Sequence, residues 1–199
     1  YPEFVREDSP THRVGGTISK EFESVTHRFP MLSLGNTYNE QELMDFDERV
    51  QKGLDGQTYE YICELKFDGV ALSVWYENGV ITRGVTRGDG VRGDDITANV
   101  KTIRTLPLKV MADGLPTQFE VRGEGFLPLA SFEAINKERE DIGEALLANP
   151  RNAASGTFKM QDSSVVAKRK VDFYVYQFLS EEAVFDTHEE SLHWLKSVG

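Results

Sequence analysis

The stretch of sequence that decides the fold is VALSVWYENGVITRGVT, residues 70–86. It contains two runs rich in β-branched and aromatic residues, 70–76 and 80–86, which are separated by Glu77, Asn78 and Gly79. An Asn-Gly pair between such runs is the strongest short-range signal for a β-hairpin, because both residues tolerate the positive φ angles of a tight turn. The stretch therefore predicts two antiparallel strands joined by a tight turn.

Elements on both sides of this hairpin are predicted from capping and turn signals. Asn39 can cap a helix through about residue 52, with Glu42 at the capping-box position and Gly53 beyond the end. Asp94 or Asp95 can cap a helix to about residue 102. The other predicted elements are a strand from about residue 59 to Gly69, strands at 118–126 and 171–178, a helix at 131–141, a loop with a short helix at 149–158, and a last helix opened by a capping box of Thr187 and Glu190.

Hairpins and mixed strands with peripheral helices indicate an α+β domain with a largely antiparallel sheet. One competing signal is the G-x-G-x-x-G pattern at residues 88–93, which is typical of a Rossmann dinucleotide site. We reject that interpretation, because the preceding strand is the second arm of a tight hairpin and no parallel return strand follows. The glycines are instead predicted to form a sharp turn that directs Arg87 into a cleft.

The run ELKFDG, residues 64–69, carries the candidate chemistry. Side chains alternate between the two faces of a strand, so Lys66 is predicted to lie between Glu64 and Asp68 on one face, with a buried apolar opposite face. A lysine without its proton is a nucleophile, and burial or nearby cations favour that state. The same alternation also occurs in any half-exposed strand. The opposite face would be formed by Cys63, Leu65 and Phe67.

Length and composition exclude several classes of protein. At 199 residues and 39% hydrophobic content, the chain can bury the core of one domain, with at most a small appendage. No apolar run approaches the ~20 residues of a membrane helix, and no signal peptide is visible, so we expect no membrane association. The single cysteine, Cys63, excludes a disulfide framework and a four-cysteine zinc site within the chain. We expect a buried structural thiol in a reducing cytoplasm.

The charge balance is acidic, with a formal net charge of −11. Phosphate neutralisation needs clustered Lys and Arg, so this balance argues against strong nonspecific DNA binding by the chain alone. Basic residues do gather at Arg151, Lys159 and residues 168–170, which are compatible either with local nucleic-acid contacts or with an ordinary solvated surface. The four histidines, at positions 12, 27, 188 and 193, give no case for a metal site.

Lys66, Asp68 and Gly69 match K-x-D-G, the motif of the covalent nucleotidyltransferases, which include DNA ligases, RNA ligases and capping enzymes. Further segments in the same order resemble the adenylation domain of bacterial NAD-dependent DNA ligases along nearly the whole chain. The resemblance implies the ATP-grasp-like nucleotidyltransferase fold of that domain. The matching segments are DSPT at 8–11 with RVG at 13–15, MLSL at 31–34, TRGDG at 86–90, EVRGE at 120–124 and NPRNAASG at 149–156.

The resemblance implies that Lys66 attacks the adenylyl phosphorus of NAD, forms lysine–AMP and releases nicotinamide mononucleotide. AMP would then pass to the 5′-phosphate of a nick in double-stranded DNA, which the adjacent 3′-hydroxyl seals during replication and repair. Glu64 would recognise the adenine amino group and Glu124 the ribose. Arg87 would meet the sugar–phosphate region, Tyr176 would stack on adenine, Ser33 and Leu34 would line the nucleotide site, and Arg151 and Lys159 would contact DNA.

A divalent cation is also implied, either Mg²⁺ or Mn²⁺. A neutral lysine is needed for attack, whereas Glu64 and Asp68 favour the charged form, so a cation or an arginine has to offset them. Mg²⁺ suits oxygen ligands and phosphate chemistry. Asp68 and Glu124 are plausible electrostatic partners, and the sequence leaves the metal ligands unassigned.

The chain is expected to comprise an extended leader, residues 1–38, and an adenylation domain, residues 39–199, that ends before two further lysine motifs. The family's N-terminal nicotinamide mononucleotide module, OB-fold, zinc-binding, helix-hairpin-helix and C-terminal regions are expected to lie outside it, and Zn²⁺ is expected only there. We therefore expect the isolated chain to be a weak or inactive enzyme. Lys159 stands where the family often has arginine, so a point charge replaces a guanidinium fork.

Two other interpretations stay open. An ATP-dependent nucleotidyltransferase of the same superfamily shares the lysine chemistry but uses another donor, and residues 87–90 and 149–156 favour the NAD branch. A noncatalytic DNA-binding module would keep the fold without needing Lys66, and the acidic balance disfavours it. The whole protein is expected to be a cytoplasmic monomer whose partners are NAD and nicked double-stranded DNA.

Overall fold

The computed structural model describes Ser9, Thr11, Arg13, Val14 and residues 21–199. Its strands are β1 (Ser24–Thr26), β2 (Val70–Glu77), β3 (Val80–Thr86), β4 (Arg92–Asp94), β5 (Gln118–Phe126) and β6 (Asp172–Leu179). Its helices are α1 (Glu40–Leu54), α2 (Thr97–Val100), α3 (Leu129–Asp141), α4 (Pro150–Phe158), α5 (Ser163–Arg169) and α6 (His188–Val198). Asp8, Pro10 and Gly15 of the opening motif, and His12 among the histidines, lie outside the described residues.

Four strands form the main sheet in the order β3-β2-β5-β6, and each neighbouring pair is antiparallel. A second sheet pairs β1 with β4, also antiparallel. Strands and helices do not alternate regularly, so the predicted α+β class with a largely antiparallel sheet is confirmed. The strand pairs of residues 21–199 include no parallel one, which agrees with the rejection of a Rossmann site at residues 88–93.

The predicted hairpin is confirmed, with β2 and β3 joined at Asn78 (φ 50°) and Gly79 (φ 76°). Positive φ at both central residues is the turn geometry whose twist matches that of the two strands. Gly79 is needed for a second reason, because a Cβ atom there would lie 2.5 Å from the carbonyl oxygen of Val110. The N–H of Val110 donates to the Gly79 carbonyl at 2.8 Å, so the loop before β5 is bonded to this turn.

One face of the main sheet packs against the helices and forms the hydrophobic core. Leu72, Val74 and Tyr76 share this face of β2, because alternate residues of a strand point the same way, and all three are buried in the main core. Phe158 at the end of α4 is also fully buried there. A Cβ atom on Gly125 of β5 would lie 2.6 Å from the Phe158 ring, so the glycine allows the helix to approach the sheet closely.

The opposite face of β5 carries a buried ion pair. Arg122 Nε donates to Glu120 Oε1 at 2.6 Å, and the side chains are only 8% and 0% exposed. Arg122 also donates to the backbone carbonyl of Pro30 at 2.9 Å and to that of Phe29. The segment that precedes α1 is therefore held across this face of the sheet by a buried guanidinium.

The predicted strand around Lys66 is wrong, because residues 57–68 form neither helix nor strand. Its expected buried face is also wrong: Leu65 is 81% exposed, and Cys63, predicted to be a buried thiol, is exposed. The reason lies in the neighbours of β2. β5 ends at Phe126, after which the chain turns away into α3, and β3 ends at Thr86, opposite Leu72. The residues that precede β2 therefore have no neighbouring strand with which to pair.

The first and last predicted helices are confirmed. Asn39 caps α1 by accepting the N–H of Glu42 at 3.0 Å, and the capping box of Thr187 and Glu190 opens α6. The end of α1 differs from the prediction, since the helix passes Gly53 and ends at Leu54, with Asp55 as a C-cap that has a left-handed backbone.

The helix predicted from Asp94 or Asp95 to residue 102 is wrong in its start and its length, because α2 covers only Thr97–Val100. Asp94 is taken up by β4. Asp95 instead accepts the N–H of Thr97 at 3.0 Å, as a turn residue outside the N-cap position. The short elements β1, β4 and α5 carry no periodicity long enough to be recognised in the sequence and were not predicted. None of the helices in the described part of the chain is long and apolar enough to cross a membrane.

We predict that Arg122→Met destabilises the fold by about 3–5 kcal/mol, because it leaves Glu120 buried without its cationic partner. Urea unfolding of the 199-residue chain at neutral pH measures the change in the free energy of unfolding. Arg104→Met is the matched control, because Arg104 is exposed, and it should change stability by about 0.5 kcal/mol or less. Equal effects of the two substitutions would contradict the role given to the buried pair.

Candidate active site

Lys66 lies at the end of the main sheet where β2 begins and β5 ends, since Val70 pairs with Gly125. Its side chain is exposed. Gly69 donates its backbone N–H to Glu124 Oε1 at 3.0 Å, which joins the segment of the lysine to β5. A Cβ atom on Gly69 would lie 2.2 Å from the carbonyl oxygen of Gly125. The glycine that ends the K-x-D-G motif is therefore required, because it allows two backbones to come into close contact.

Two further contacts fix the residues between Lys66 and Gly69. Asp68 Oδ1 lies 3.1 Å from Arg151 Nη1, in an exposed ion pair with the first turn of α4. The ring of Phe67 stacks on Tyr174 of β6, with centroids 4.2 Å apart, and Tyr174 in turn stacks on Phe126 at 4.8 Å. The motif is thus attached to α4, β5 and β6 by side chains rather than by a strand ladder.

Glu124 is the half-buried carboxylate of this site. Burial raises the pKa of Glu124, and the N–H of Gly69 opposes that rise by donating to the carboxylate. The positive charges of Lys66 and Arg151 also lower the pKa of Glu124, whereas Asp68 raises it. These charges therefore act on one another, and the site brings together the lysine and the carboxylate that lie 58 positions apart in the sequence.

Glu64 has a partner that the sequence did not indicate. Its Oε1 lies 2.6 Å from Nε2 of His188, the first residue of α6. The predicted arrangement, with Glu64 beside Lys66 and Asp68 on one strand face, is replaced by separate contacts for the two carboxylates. A capping box predicts where a helix begins, but it does not predict what the first side chain touches.

Arg87 and Ser33, two of the residues that the family resemblance places around the nucleotide, are in contact. Arg87 follows β3 and donates from Nη1 to Ser33 Oγ at 3.1 Å. Two backbone bonds between the 27–31 segment and the turn after Arg87 fix this approach: His27 N–H to the Val91 carbonyl at 2.9 Å and Met31 N–H to the Gly90 carbonyl at 2.8 Å. Leu34 follows Ser33 directly and is 79% exposed, so it is available to a ligand.

Tyr176 is aimed by a β-bulge. Arg122 pairs with Gln177 and Gly123 with Val175, so Tyr176 is the extra residue on β6. Burial raises the pKa of the Tyr176 hydroxyl, with a further rise from Glu124, while Arg122 and Arg87 oppose it. Tyr176 therefore lies within reach of the charges of the predicted nucleotide site.

Arg151 and Lys159 stand at the two ends of α4. Asn149 caps the helix by accepting the N–H of Asn152, and Arg151 lies in its first turn with an exposed side chain. Lys159 is the C-cap, and its Nζ lies 3.0 Å from Asp94 Oδ2. The two predicted DNA contacts are exposed on one element, and each is paired with a carboxylate.

The basic run at residues 168–170 is only partly a surface cluster. Arg169 donates to the buried hydroxyl of Thr157 at 2.8 Å, and burial lowers the pKa of its guanidinium. Lys170 has a left-handed backbone that ends α5. At least part of this run therefore holds α5 against α4. In the part of the chain that the structure describes, no group of three or more His, Cys, Asp or Glu side chains could hold a metal ion.

Comparison with known proteins identifies the family of this chain. Residues 19–199 match the family model described as the NAD-dependent DNA ligase adenylation domain. The chain is 58% identical over 199 residues to a DNA ligase of Cytophaga hutchinsonii, with all of this chain and 30% of that protein covered. It is 53% identical over 199 residues to a DNA ligase of Parabacteroides distasonis, again over all of this chain and 30% of the relative. A DNA ligase of Bacillus cereus is 50% identical over 199 residues, which are all of this chain and 29% of the relative. The chain thus spans about 30% of the length of these relatives, and it belongs to the NAD-dependent DNA ligase adenylation domain family.

Proposed function

We propose that this chain carries the adenylation step of a NAD-dependent DNA ligase, with Lys66 as the nucleophile. Lys66 Nζ attacks the adenylyl phosphorus of NAD, so that an N–P bond forms, the P–O bond to nicotinamide mononucleotide breaks, and the nitrogen loses a proton. The observation that best supports this is the bond between Gly69 and Glu124, which joins the lysine motif to a carboxylate motif 55 residues later. Family membership over residues 19–199 supports the same reaction.

The charges around Lys66 suit this attack. The lysine must be neutral when it reacts, and an unpaired carboxylate next to it would favour the ammonium form. Arg151 supplies a positive charge 3.1 Å from Asp68, and Gly69 donates to Glu124. An arginine therefore offsets one of the carboxylates near the nucleophile.

A divalent cation fits a site of this kind only together with substrate phosphates. Mg²⁺ in phosphate chemistry is commonly bound through one or two carboxylates plus phosphate oxygens rather than through a full protein cage. Glu124 and Asp68 are the carboxylates near Lys66 that could take part. Such an ion would neutralise charge on the phosphoryl oxygens.

The nucleotide contacts are proposed from the family resemblance, and the contacts around the lysine are compatible with them. Glu64 accepts the adenine amino group, and Tyr176, aimed by its bulge, stacks on the base. Glu124 binds the ribose, since a half-buried carboxylate accepts hydroxyl donors well. Arg87 meets the sugar–phosphate region beside Ser33 and Leu34, as a guanidinium forks onto phosphate oxygens.

The later steps, sealing of a nick in replication and repair, are proposed for the whole protein. Arg151 and Lys159 would contact DNA phosphates, and each would first have to leave its carboxylate partner, Asp68 or Asp94. This exchange agrees with the acidic balance of the chain, which favours contact at selected points over nonspecific adhesion. We also propose a cytoplasmic, monomeric protein; cell fractionation and light scattering test these two points.

One prediction from the proposed function concerns the nucleophile and the adenylyl donor. The whole protein, stripped of bound adenylate and incubated with Mg²⁺, should gain AMP from NAD and not from ATP, as intact mass spectrometry measures. Lys66→Ala and Lys66→Arg should abolish the adduct, the latter because a guanidinium keeps the charge without a usable nucleophile. Lys52→Ala should retain it, since Lys52 is an exposed helix lysine on α1, paired with Glu48 one turn earlier.

Each alternative outcome has a distinct meaning. An adduct from ATP alone would place the protein in the ATP-dependent branch of the superfamily. An adduct from neither donor would refute the enzymatic assignment and leave a noncatalytic DNA-binding module. An adduct that survives in Lys66→Ala would move the nucleophile to another residue.

A further prediction concerns Gly69, the glycine of the K-x-D-G motif. Gly69→Ala places a methyl group 2.2 Å from a backbone carbonyl, so the Lys66 segment must shift. A displacement of this size should slow adduct formation on the order of a hundredfold, because reactivity depends steeply on the position of the attacking atom. Gly53→Ala is the control, as a Cβ there meets nothing within 4 Å. Single-turnover rates measure both, and a wild-type rate for Gly69→Ala would contradict the prediction.

Another prediction concerns the activity of the 199 residues in isolation. The isolated 199 residues are expected to form lysine–AMP slowly or not at all and to leave nicked DNA unsealed, because further phosphate contacts are expected elsewhere in the whole protein. A gel assay on a nicked duplex, with the whole protein as the positive control, measures sealing. Robust sealing by the isolated chain would refute this expectation.

A further inference from the structure

His188 and Glu64 form a contact between parts of the chain that are 124 residues apart. Nε2 of His188 lies 2.6 Å from Glu64 Oε1, and the two side chains are 44% and 35% exposed. An ionised carboxylate only accepts hydrogen bonds, so the imidazole carries a hydrogen on Nε2 and donates it. The contact therefore consumes one acceptor position of Glu64 and leaves the carboxylate room for a further donor.

His188 is held in place by its helix. It is the first residue of α6, directly after the Thr187 cap. Its backbone carbonyl accepts the hydroxyl of Ser191 at 2.6 Å. Trp194 fastens the same helix to the sheet, with its ring 5.5 Å from that of Phe178 on β6. The first turn of α6 also carries Glu189 and Glu190, so what α6 offers Glu64 is the donor on His188.

Glu64, in contrast, lies on residues 57–68, which form neither helix nor strand. A glutamate side chain loses considerable rotamer freedom when it is held in one orientation. In the described part of the chain, the partner that restrains the Glu64 carboxylate is His188.

We propose that His188 is a positioning residue for adenine selection, acting through Glu64; this rests on the proposed function, in which Glu64 accepts the adenine amino group. Hypoxanthine carries a carbonyl at that place, which cannot donate to a carboxylate. A carboxylate held by His188 stays turned toward the base and rejects hypoxanthine. A carboxylate without His188 turns away, so the preference for adenine falls.

The test uses the whole protein, free of adenylate, with NAD and nicotinamide hypoxanthine dinucleotide as the two donors. Single-turnover formation of the AMP or IMP adduct gives a maximal rate and a half-saturating concentration for each donor. In His188→Ala the half-saturating NAD concentration should rise about tenfold and the preference for NAD should fall about tenfold, as expected for a lost bond to a charged group. The maximal rate with NAD should stay within about twofold, because His188 does not touch the reacting atoms.

Two variants separate positioning from a general structural role. His188→Gln keeps an N–H donor at a similar reach and should restore the preference for NAD to within about threefold of the wild type. His193→Ala removes another histidine of α6, one that is exposed, and should change neither quantity. Thermal unfolding of all variants checks that α6 stays folded.

The outcomes distinguish this inference from the function on which it rests. If Glu64→Ala loses the preference for NAD while His188→Ala keeps it, the role of His188 is overturned and the proposed function stands. If His188→Gln loses the preference for NAD as fully as His188→Ala does, the proposal that His188 acts by donating a hydrogen bond is overturned. If the wild type takes no AMP from NAD, the proposed function fails first and the role of His188 fails with it.

Discussion

The site depends on the buried guanidinium of Arg122. A charge without solvent costs several kcal/mol unless it is paired and fully hydrogen-bonded. Arg122 is paired with Glu120 and also donates to the carbonyls of Phe29 and Pro30, whereas the second carboxylate oxygen of Glu120 is buried without a hydrogen-bond partner among the described residues. Ser33 lies three residues after Pro30 in the sequence, so this buried charge helps to fix one wall of the proposed nucleotide site. The same interaction explains why a polar residue on the central strand can be almost inaccessible.

The central strand β5 shows what a sequence can and cannot reveal about this fold. Its bounds were predicted, because alternation and flanking turn signals are local properties. The burial of Arg122 was not, since it depends on the carbonyls of a segment 92 and 93 residues away. The same holds for Gly123, where a Cβ atom would lie 2.6 Å from the ring of Phe173 on the next strand. The local sequence pattern predicts where the strand lies, whereas tertiary contacts determine which side chains fit at each of its positions.

The segment of Lys66 shows the limit in its clearest form. The alternation at residues 63–68 is typical of a strand, but a strand also needs a neighbour with free backbone groups. On the N-terminal side of Gly69 both neighbours of β2 have ended, β3 at Thr86 and β5 at Phe126. The segment is fixed instead by side chains: Asp47 accepts the hydroxyls of Tyr59 and Tyr61 at 2.6 and 2.8 Å. Side-chain contacts of this kind produce no periodic pattern in the sequence. The motif can therefore be recognised from the sequence, but its conformation cannot be predicted from it.

This way of holding the lysine also bears on its chemistry. In a regular strand Glu64, Lys66 and Asp68 would share one face, with both carboxylates close to the lysine. In the structure, Glu64 is drawn to His188 and Asp68 to Arg151, each on a different helix. Both acids are thereby engaged by donors from elsewhere in the fold, and Lys66 remains exposed between them. The irregular segment thus gives each of these acids a partner on another element, which suits the proposed attack by a lysine without its proton.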